Sequence, residues 1–131
     1  MTQPDSPPLT FLRLFAGEDG ESHFEAQPIG DQESADLVQG EYLSAGAAFA
    51  CSLRVVPAGW TRDRGPTKQT TLAVYISGEG VVEASDGDRR AVRPGVVLIA
   101  EDTTGRGHAA RVTGHQPLAV MHITLSDPPR P

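Results

Sequence analysis

Four histidines (His23, His108, His115, His122) and Tyr75, set in an apolar run, are the side chains of this sequence best suited to moving protons. Imidazole changes protonation near neutral pH, so it can take a proton from one atom of a substrate and return it to another. His108 stands out because it ends a turn of Asp, Thr, Gly and Arg, residues 102–107, that leaves the apolar stretch Val96–Ala100. A phenol at Tyr75 polarises a carbonyl or gives a proton to a developing enolate, and Glu101 orients the imidazole or serves as the acid. Plainer roles stand beside these. His108 hydrogen-bonds its own turn, Tyr75 is a satisfied core tyrosine, and Glu101 and Asp102 cap the turn through backbone amides. Nucleophilic chemistry has one candidate, Cys51, and its spacing from Phe49 and Leu53 at period two reads instead as a packed core residue.

Those groups need a scaffold, and the chain supplies strands. Helix-period patterns are nearly absent, while short apolar or alternating runs are separated by Gly, Pro and Asp turns. Strands are expected near Thr10–Phe15, Ser22–Gln27, Gly46–Val56, Thr70–Ser77, Gly80–Ala84, Arg89–Val92, Val96–Ala100, His108–Thr113 and Leu118–Leu125. Asp31–Val38 reads as a helical turn or irregular loop, and Arg62, Asp63 and Arg64 as a solvated loop in their plain reading. Asp86-Gly87 between two strand-like runs marks a hairpin. Many short strands at regular spacing predict an all-β sandwich or barrel.

At 131 residues the chain is long enough for one domain with a real core. Pro-rich residues 1–9 and 126–131 read as flexible tails around a β-barrel domain over residues 10–125. A net charge of −6 and no basic run argue against nucleic acid and anionic membrane as partners. One cysteine excludes an intrachain disulfide, and the start has no basic-then-apolar leader pattern, so a cytoplasmic location is expected.

Tyr75-Ile76-Ser77-Gly78-Glu79-Gly80-Val81-Val82-Glu83, then Asp86-Gly87, Val92-Arg93-Pro94-Gly95 and His108, with Pro57-Ala58-Gly59-Trp60 upstream, resemble the spine of the cupin superfamily. Gly20-Glu21-Ser22-His23-Phe24-Glu25 and Glu101-Asp102-Thr103-Thr104-Gly105-Arg106-Gly107-His108 resemble signatures of small single-domain bacterial cupins. The resemblance implies a double-stranded β-helix, or jelly-roll barrel, whose mouth holds a small molecule or metal, and a homodimer. Cupins that hold a metal resemble one another in two histidines with one residue between them, a Glu or Gln with six residues between it and the turn glycine, and a final histidine. Here Gly78 as the turn glycine aligns the carboxylate position with Thr71 and the histidine pair with Gly65 and Thr67, or with Arg64 and Pro66 if the spacer is one longer, which leaves His108 alone. No metal and no other cofactor is therefore expected, with one alternative: a divalent metal in a nonstandard site where His23, His115 or His122 joins His108 and Glu25 or Glu101.

Within that resemblance Gln69, Thr71, Ala73 and Tyr75 point into the barrel, and His108 shares its inward face with Ala110 and Val112. Trp60, Arg62 and Arg64 fall near the mouth, placed to stack on or pair with an anionic ligand. His23 and His122 complete the candidate substrate-binding set. His23 in its plain reading pins the N-terminal strand, His122 is interior or dimer-facing, and His115 is a solvated loop residue. The resulting expectation is a small-molecule-binding cupin acting as a metal-independent acid–base enzyme of isomerase, cyclase or lyase type on a small carbonyl-containing metabolite. The alternatives are a non-catalytic ligand-binding or sensing cupin and a metal cupin with relocated ligands.

Overall fold

The computed structural model describes residues 10–28 and 49–125. The expectations for Asp31–Val38, for residues 46–48 and for the two tails lie outside the described residues. Within them the chain forms ten strands and no helix: β1 (Thr10–Ala16), β2 (Ser22–Pro28), β3 (Phe49–Val56), β4 (Thr61–Gly65), β5 (Thr71–Ser77), β6 (Glu79–Ala84), β7 (Arg89–Val92), β8 (Val97–Glu101), β9 (His108–Thr113) and β10 (Leu118–Leu125). None of the described residues forms a helix long and apolar enough to cross a membrane.

Two sheets face each other. One runs β2-β1-β8-β5-β10-β3 and the other β4-β9-β6-β7. Pairing is antiparallel except between β1 and β8, where Leu12 faces Leu98 and Phe15 faces Glu101 in parallel register. Alternation decides which side chains meet between the layers. Leu14, Ala73, Tyr75, Leu98, Leu118 and Val120 from the large sheet and Val82, Ala84, Val92 and Val112 from the small one form the main core. A second cluster around Ile99 and Leu125, with Phe11, Leu72 and Ile123, occupies the opposite parity of the large sheet.

The Asp86-Gly87 hairpin forms as its sequence requires. Gly87 sits at φ 96°, its amide bonds Ala84 O at 3.1 Å, and Asp88 N–H donates to Asp86 Oδ1 at 2.8 Å.

Two expectations need correction. Residues 61–65 form strand β4, although Thr-Arg-Asp-Arg-Gly has no apolar alternation, because β4 is an edge strand that only needs pairing on one side, to β9. Cys51 is exposed, not packed in the core. It lies on β3, the other edge of the large sheet, on the parity of Leu53 and Val55, which are 62% and 63% exposed.

Candidate functional site

The inward residues of the two sheets leave a cavity of about 290 Å³ between them. Thr71, Ala73 and Tyr75 from β5, His108, Ala110 and Val112 from β9, and Val120, His122 and Thr124 from β10 line it, as alternation requires. Trp60, in the turn before β4, lines it too and packs on the core. That turn is fixed by the Trp60 amide on Pro57 O at 3.1 Å and by Val112 N–H on Trp60 O at 2.8 Å.

His108 is not alone. Its Nδ1 lies 2.7 Å from Asp102 Oδ2, and the Asp102 side chain is wholly buried while that of His108 is 12% exposed. The other carboxylate oxygen, Oδ1, accepts the Thr67 hydroxyl at 2.7 Å, and the Thr67 amide donates to Asp102 O at 2.9 Å. A carboxylate has no donor of its own, so the Nδ1 contact requires a proton on that nitrogen. In the neutral ring, Nε2 then carries the lone pair for a ligand in the cavity.

The loop between β8 and β9 that carries this pair is held from the far N-terminal side. Gly20 O accepts the Arg106 amide at 2.9 Å, Arg106 pairs with Glu21 at 3.1 Å, and the Ser22 hydroxyl donates to Gly107 O at 2.6 Å. Ser22, 1% exposed, also accepts the Ser85 amide at 2.7 Å through its Oγ. At Gly107, with φ 72°, an added Cβ would lie 2.0 Å from the Gly65 carbonyl, so only glycine lets the loop lie against β4. The two small-cupin signatures are thus one contact: Gly20–Ser22 grips Gly105–Gly107.

Arg62 fastens the same region from inside. Its Nη1 donates to His108 O at 2.6 Å and Gly65 O at 3.2 Å, and its Nη2 to Pro66 O at 3.1 Å. Burial pushes the Tyr75 phenol up to about 12, so it stays a hydrogen-bond donor across the ordinary pH range. Burial, and then the charge of Arg54, hold His122 below the usual imidazole value, so it is neutral in the cavity.

The candidate residues therefore divide. His108, Tyr75, Trp60, Arg62, Thr71 and His122 line the cavity. Glu101, Arg64, Gln69 and His23 do not. Glu101 has the opposite parity on β8 and pairs with Arg13 at 2.7 Å, so the carboxylate beside the imidazole is its neighbour Asp102. Arg64 is on the outside of β4, bound to Glu83 at 2.8 Å. Gln69 precedes β5 and is exposed; its carbonyl accepts the Thr71 hydroxyl at 2.8 Å. His23 sits between Asp19 at 3.1 Å and Asp86 at 2.8 Å, joining the β1–β2 and β6–β7 hairpins, and these carboxylates, Asp19 foremost, raise its pKa.

Arg54 and Lys68 went unrecognised in the sequence, and Asp102 was read there as a turn cap; the plain reading that His108 hydrogen-bonds its own turn agrees with its contact to Asp102. Parity marks Asp102: Leu98 and Ala100 face inward, so the next inward position is 102, not 101.

The residues present do not fit a divalent metal. Thr67, aligned with an expected metal-binding histidine, gives its hydroxyl to Asp102 instead. His23, His115, Glu25 and Glu101 do not join His108, and among the described residues no three His, Cys, Asp or Glu side chains are placed to hold an ion. Arg54, Arg62 and Lys68 in the lining would repel one.

No family model matches the chain, and no curated protein matches it. Among solved structures, an RmlC-like cupin family protein with a double-stranded β-helix fold from Methanocaldococcus jannaschii aligns over 98% of this chain and 89% of its own, with TM-score 0.53 and 11% identity. A Cupin 2 conserved barrel domain protein from Salinispora arenicola aligns over 66% of this chain and 69% of its own, with TM-score 0.50 and 18% identity. Oxalate decarboxylase from Bacillus subtilis is 30% identical over 60% of this chain and 22% of its own, with TM-score 0.47. The first two show that the fold is the cupin double-stranded β-helix.

Proposed function

We propose that this chain, a cupin by fold, binds a small carbonyl-containing metabolite in its barrel and catalyses a proton transfer within it without a metal. The observation that carries the reading is the His108–Asp102 pair: a cavity imidazole whose Nδ1 is held at 2.7 Å by a wholly buried carboxylate. In the proposed step Nε2 takes a proton from the carbon beside the carbonyl, and the C–H electron pair moves onto the carbonyl oxygen as an enolate. The Tyr75 hydroxyl donates a hydrogen bond to that oxygen. The imidazolium, facing Asp102, then returns its proton to another carbon of the same molecule, or a leaving group departs with it. Both outcomes belong to the isomerase and lyase classes. A cavity of about 290 Å³ lies near the small end of ligand pockets, which suits a metabolite rather than a polymer.

Proton exchange tests this directly. Small 2-oxo acids and lactones are incubated with the protein in D2O, and loss of the C–H signal next to the carbonyl is followed by proton NMR. Accelerated loss is expected with the natural chain, falling by roughly 100-fold or more in His108→Ala. Exchange at the buffer rate with every compound, or exchange undiminished in both His108→Ala and Tyr75→Phe, overturns the reading.

A further inference from the structure

The charged side chains that line the cavity are all of one sign. Arg54, Arg62, Lys68 and Arg111 line it together with His108 and His122, and among the described residues no aspartate or glutamate does. The whole chain carries −6, so this is a basic hollow in an acidic protein. Five arginines outside the cavity find carboxylates: Arg13 pairs with Glu101, Arg64 and Arg89 with Glu83, Arg90 with Asp88, and Arg106 with Glu21. Those lining the cavity do not, among the described residues. Arg62 donates to the neutral backbone carbonyls of Gly65, Pro66 and His108, which hold the guanidinium in place without cancelling its charge. Arg54 and Lys68 form no ion pair among the described residues.

Depth orders these groups. Arg54 and Lys68 are exposed and so belong to the entrance, whereas Tyr75 is 9% exposed and His108 is backed by buried Asp102. Arg54 sits opposite Val120 on β3, diagonal to His122 on β10, which puts a fixed cation beside a neutral imidazole. A concave site lined by one sign of charge concentrates the opposite sign, and both guanidinium and ammonium groups donate to oxygen acceptors.

We infer that the molecule received here carries an oxyanion, a carboxylate or a phosphoryl group, seated at the entrance between Arg54 and Lys68 with His122 beside it. The inference rests on the reading of the cavity as a small-molecule site and names the class of molecule. Anchoring the anionic end at the mouth directs the uncharged reacting end inward, toward His108 and Tyr75. The anion also replaces no protein carboxylate, since among the described residues none lines the cavity.

Binding is read separately from chemistry. The imidazole C–H signal of His122 is followed by NMR while the protein is titrated with succinate, with inorganic phosphate and with the neutral succinamide. At least one anion is expected to shift that signal saturably with a dissociation constant of roughly 1 mM or lower, and succinamide to leave it in place. Succinate alone would identify a carboxylate site, and phosphate alone a phosphoryl site. Arg54→Gln and Lys68→Gln, both exposed and outside the core, are each expected to weaken binding roughly 10-fold, while Arg93→Gln, outside the lining, leaves it unchanged. Failure of both anions to saturate the signal, equal binding of succinamide, or a double Arg54→Gln/Lys68→Gln variant that binds like the natural chain overturns the inference. His108→Ala keeps the two readings apart. Anion binding that survives it without any His108-dependent exchange counts against proton transfer alone, and exchange that ignores Arg54 and Lys68 counts against the oxyanion alone.

Discussion

Replacing Asp102 by asparagine changes almost no volume and tests what the buried carboxylate does. In the natural chain it accepts two hydrogen bonds, from His108 Nδ1 and from the Thr67 hydroxyl, each at 2.7 Å and with the Asp102 side chain fully out of solvent. Hydrogen bonds to an ionised group contribute about 1.5–3 kcal/mol and neutral ones about 0.5–1.5. The substitution therefore costs about 1 kcal/mol per bond, or about 2 kcal/mol in all, less whatever is regained by no longer burying a charge. For a chain of this size that lowers Tm by roughly 6–10 °C. A larger effect falls on the ring. Asparagine keeps a carbonyl for Thr67 and turns its amide N–H groups toward His108, so Nδ1 must become an acceptor and the neutral ring must carry its proton on Nε2. The nitrogen facing the ligand then has no lone pair, and proton exchange is expected to fall by about 100-fold or more. Long-range proton–nitrogen correlation spectra of the His108 ring distinguish the two tautomers without any substrate. An Asp102→Asn protein whose neutral ring keeps its proton on Nδ1 would refute the argument, as would an unchanged Tm together with undiminished exchange.

Ser22→Ala removes the hydroxyl that donates to Gly107 O and accepts from Ser85 N, and should cost about 2 kcal/mol in urea unfolding while broadening or doubling the His108 ring signals. Gly107→Ala would press a Cβ into the Gly65 carbonyl at positive φ and is expected to cost more than about 3 kcal/mol. Gly87→Ala, at φ 96° but facing open space, should cost only about 1–2 kcal/mol, and equal thermal shifts for the two would contradict the loop packing. The two histidines with displaced pKa values should tilt stability in opposite directions. His23, raised above 6.5 by Asp19 and Asp86, contributes fully below that pH and loses its contribution as pH rises through the folded value. His122, lowered from 6.5 by burial and Arg54, contributes above that pH and loses its contribution as pH falls through the folded value. In unfolding curves against pH, His23→Gln should flatten the alkaline side and His122→Gln the acidic side.

Strands were legible wherever one face is buried, because burial imposes alternation. Thr71-Leu72-Ala73-Val74-Tyr75 and His108-Ala109-Ala110-Arg111-Val112 show the period that the structure uses, and Tyr75 and Val112 point inward accordingly. Edge strands escape that rule. In β4 Thr61, Arg62 and Gly65 carry the pairing to β9, so nothing apolar advertises a strand; in β3 an alternating apolar face is present but exposed, which is why Cys51 and Leu53 read as core. Within the site, the histidine was visible and its partner was mistaken by one residue. Glu101 is the last residue of β8, and pairing with Arg13 satisfies it outside the barrel. Asp102 lies just beyond the strand, where composition suggested a turn cap, yet the strand's parity still carries it inward. Arg54 and Lys68 were hidden for a different reason: a single cation in a strand or loop has no local pattern, and only the fold gathers such residues around one hollow.

The grip of Gly20–Ser22 on the turn before His108 has a further consequence for when the site comes into being. Ser22 and Gly107, which hold one another there, are 85 residues apart, and β3 pairs, among the described residues, with β10 alone. As the chain emerges in order from its first residue, Arg54 waits on a strand without a partner until Leu118–Leu125 arrives to seat it. A severed chain ending before β10 would hold Tyr75, Asp102 and His108 and still have no closed hollow. Because β10 itself supplies Val120, His122 and Thr124 to the lining, the cavity cannot close before the final strand of the domain has been made.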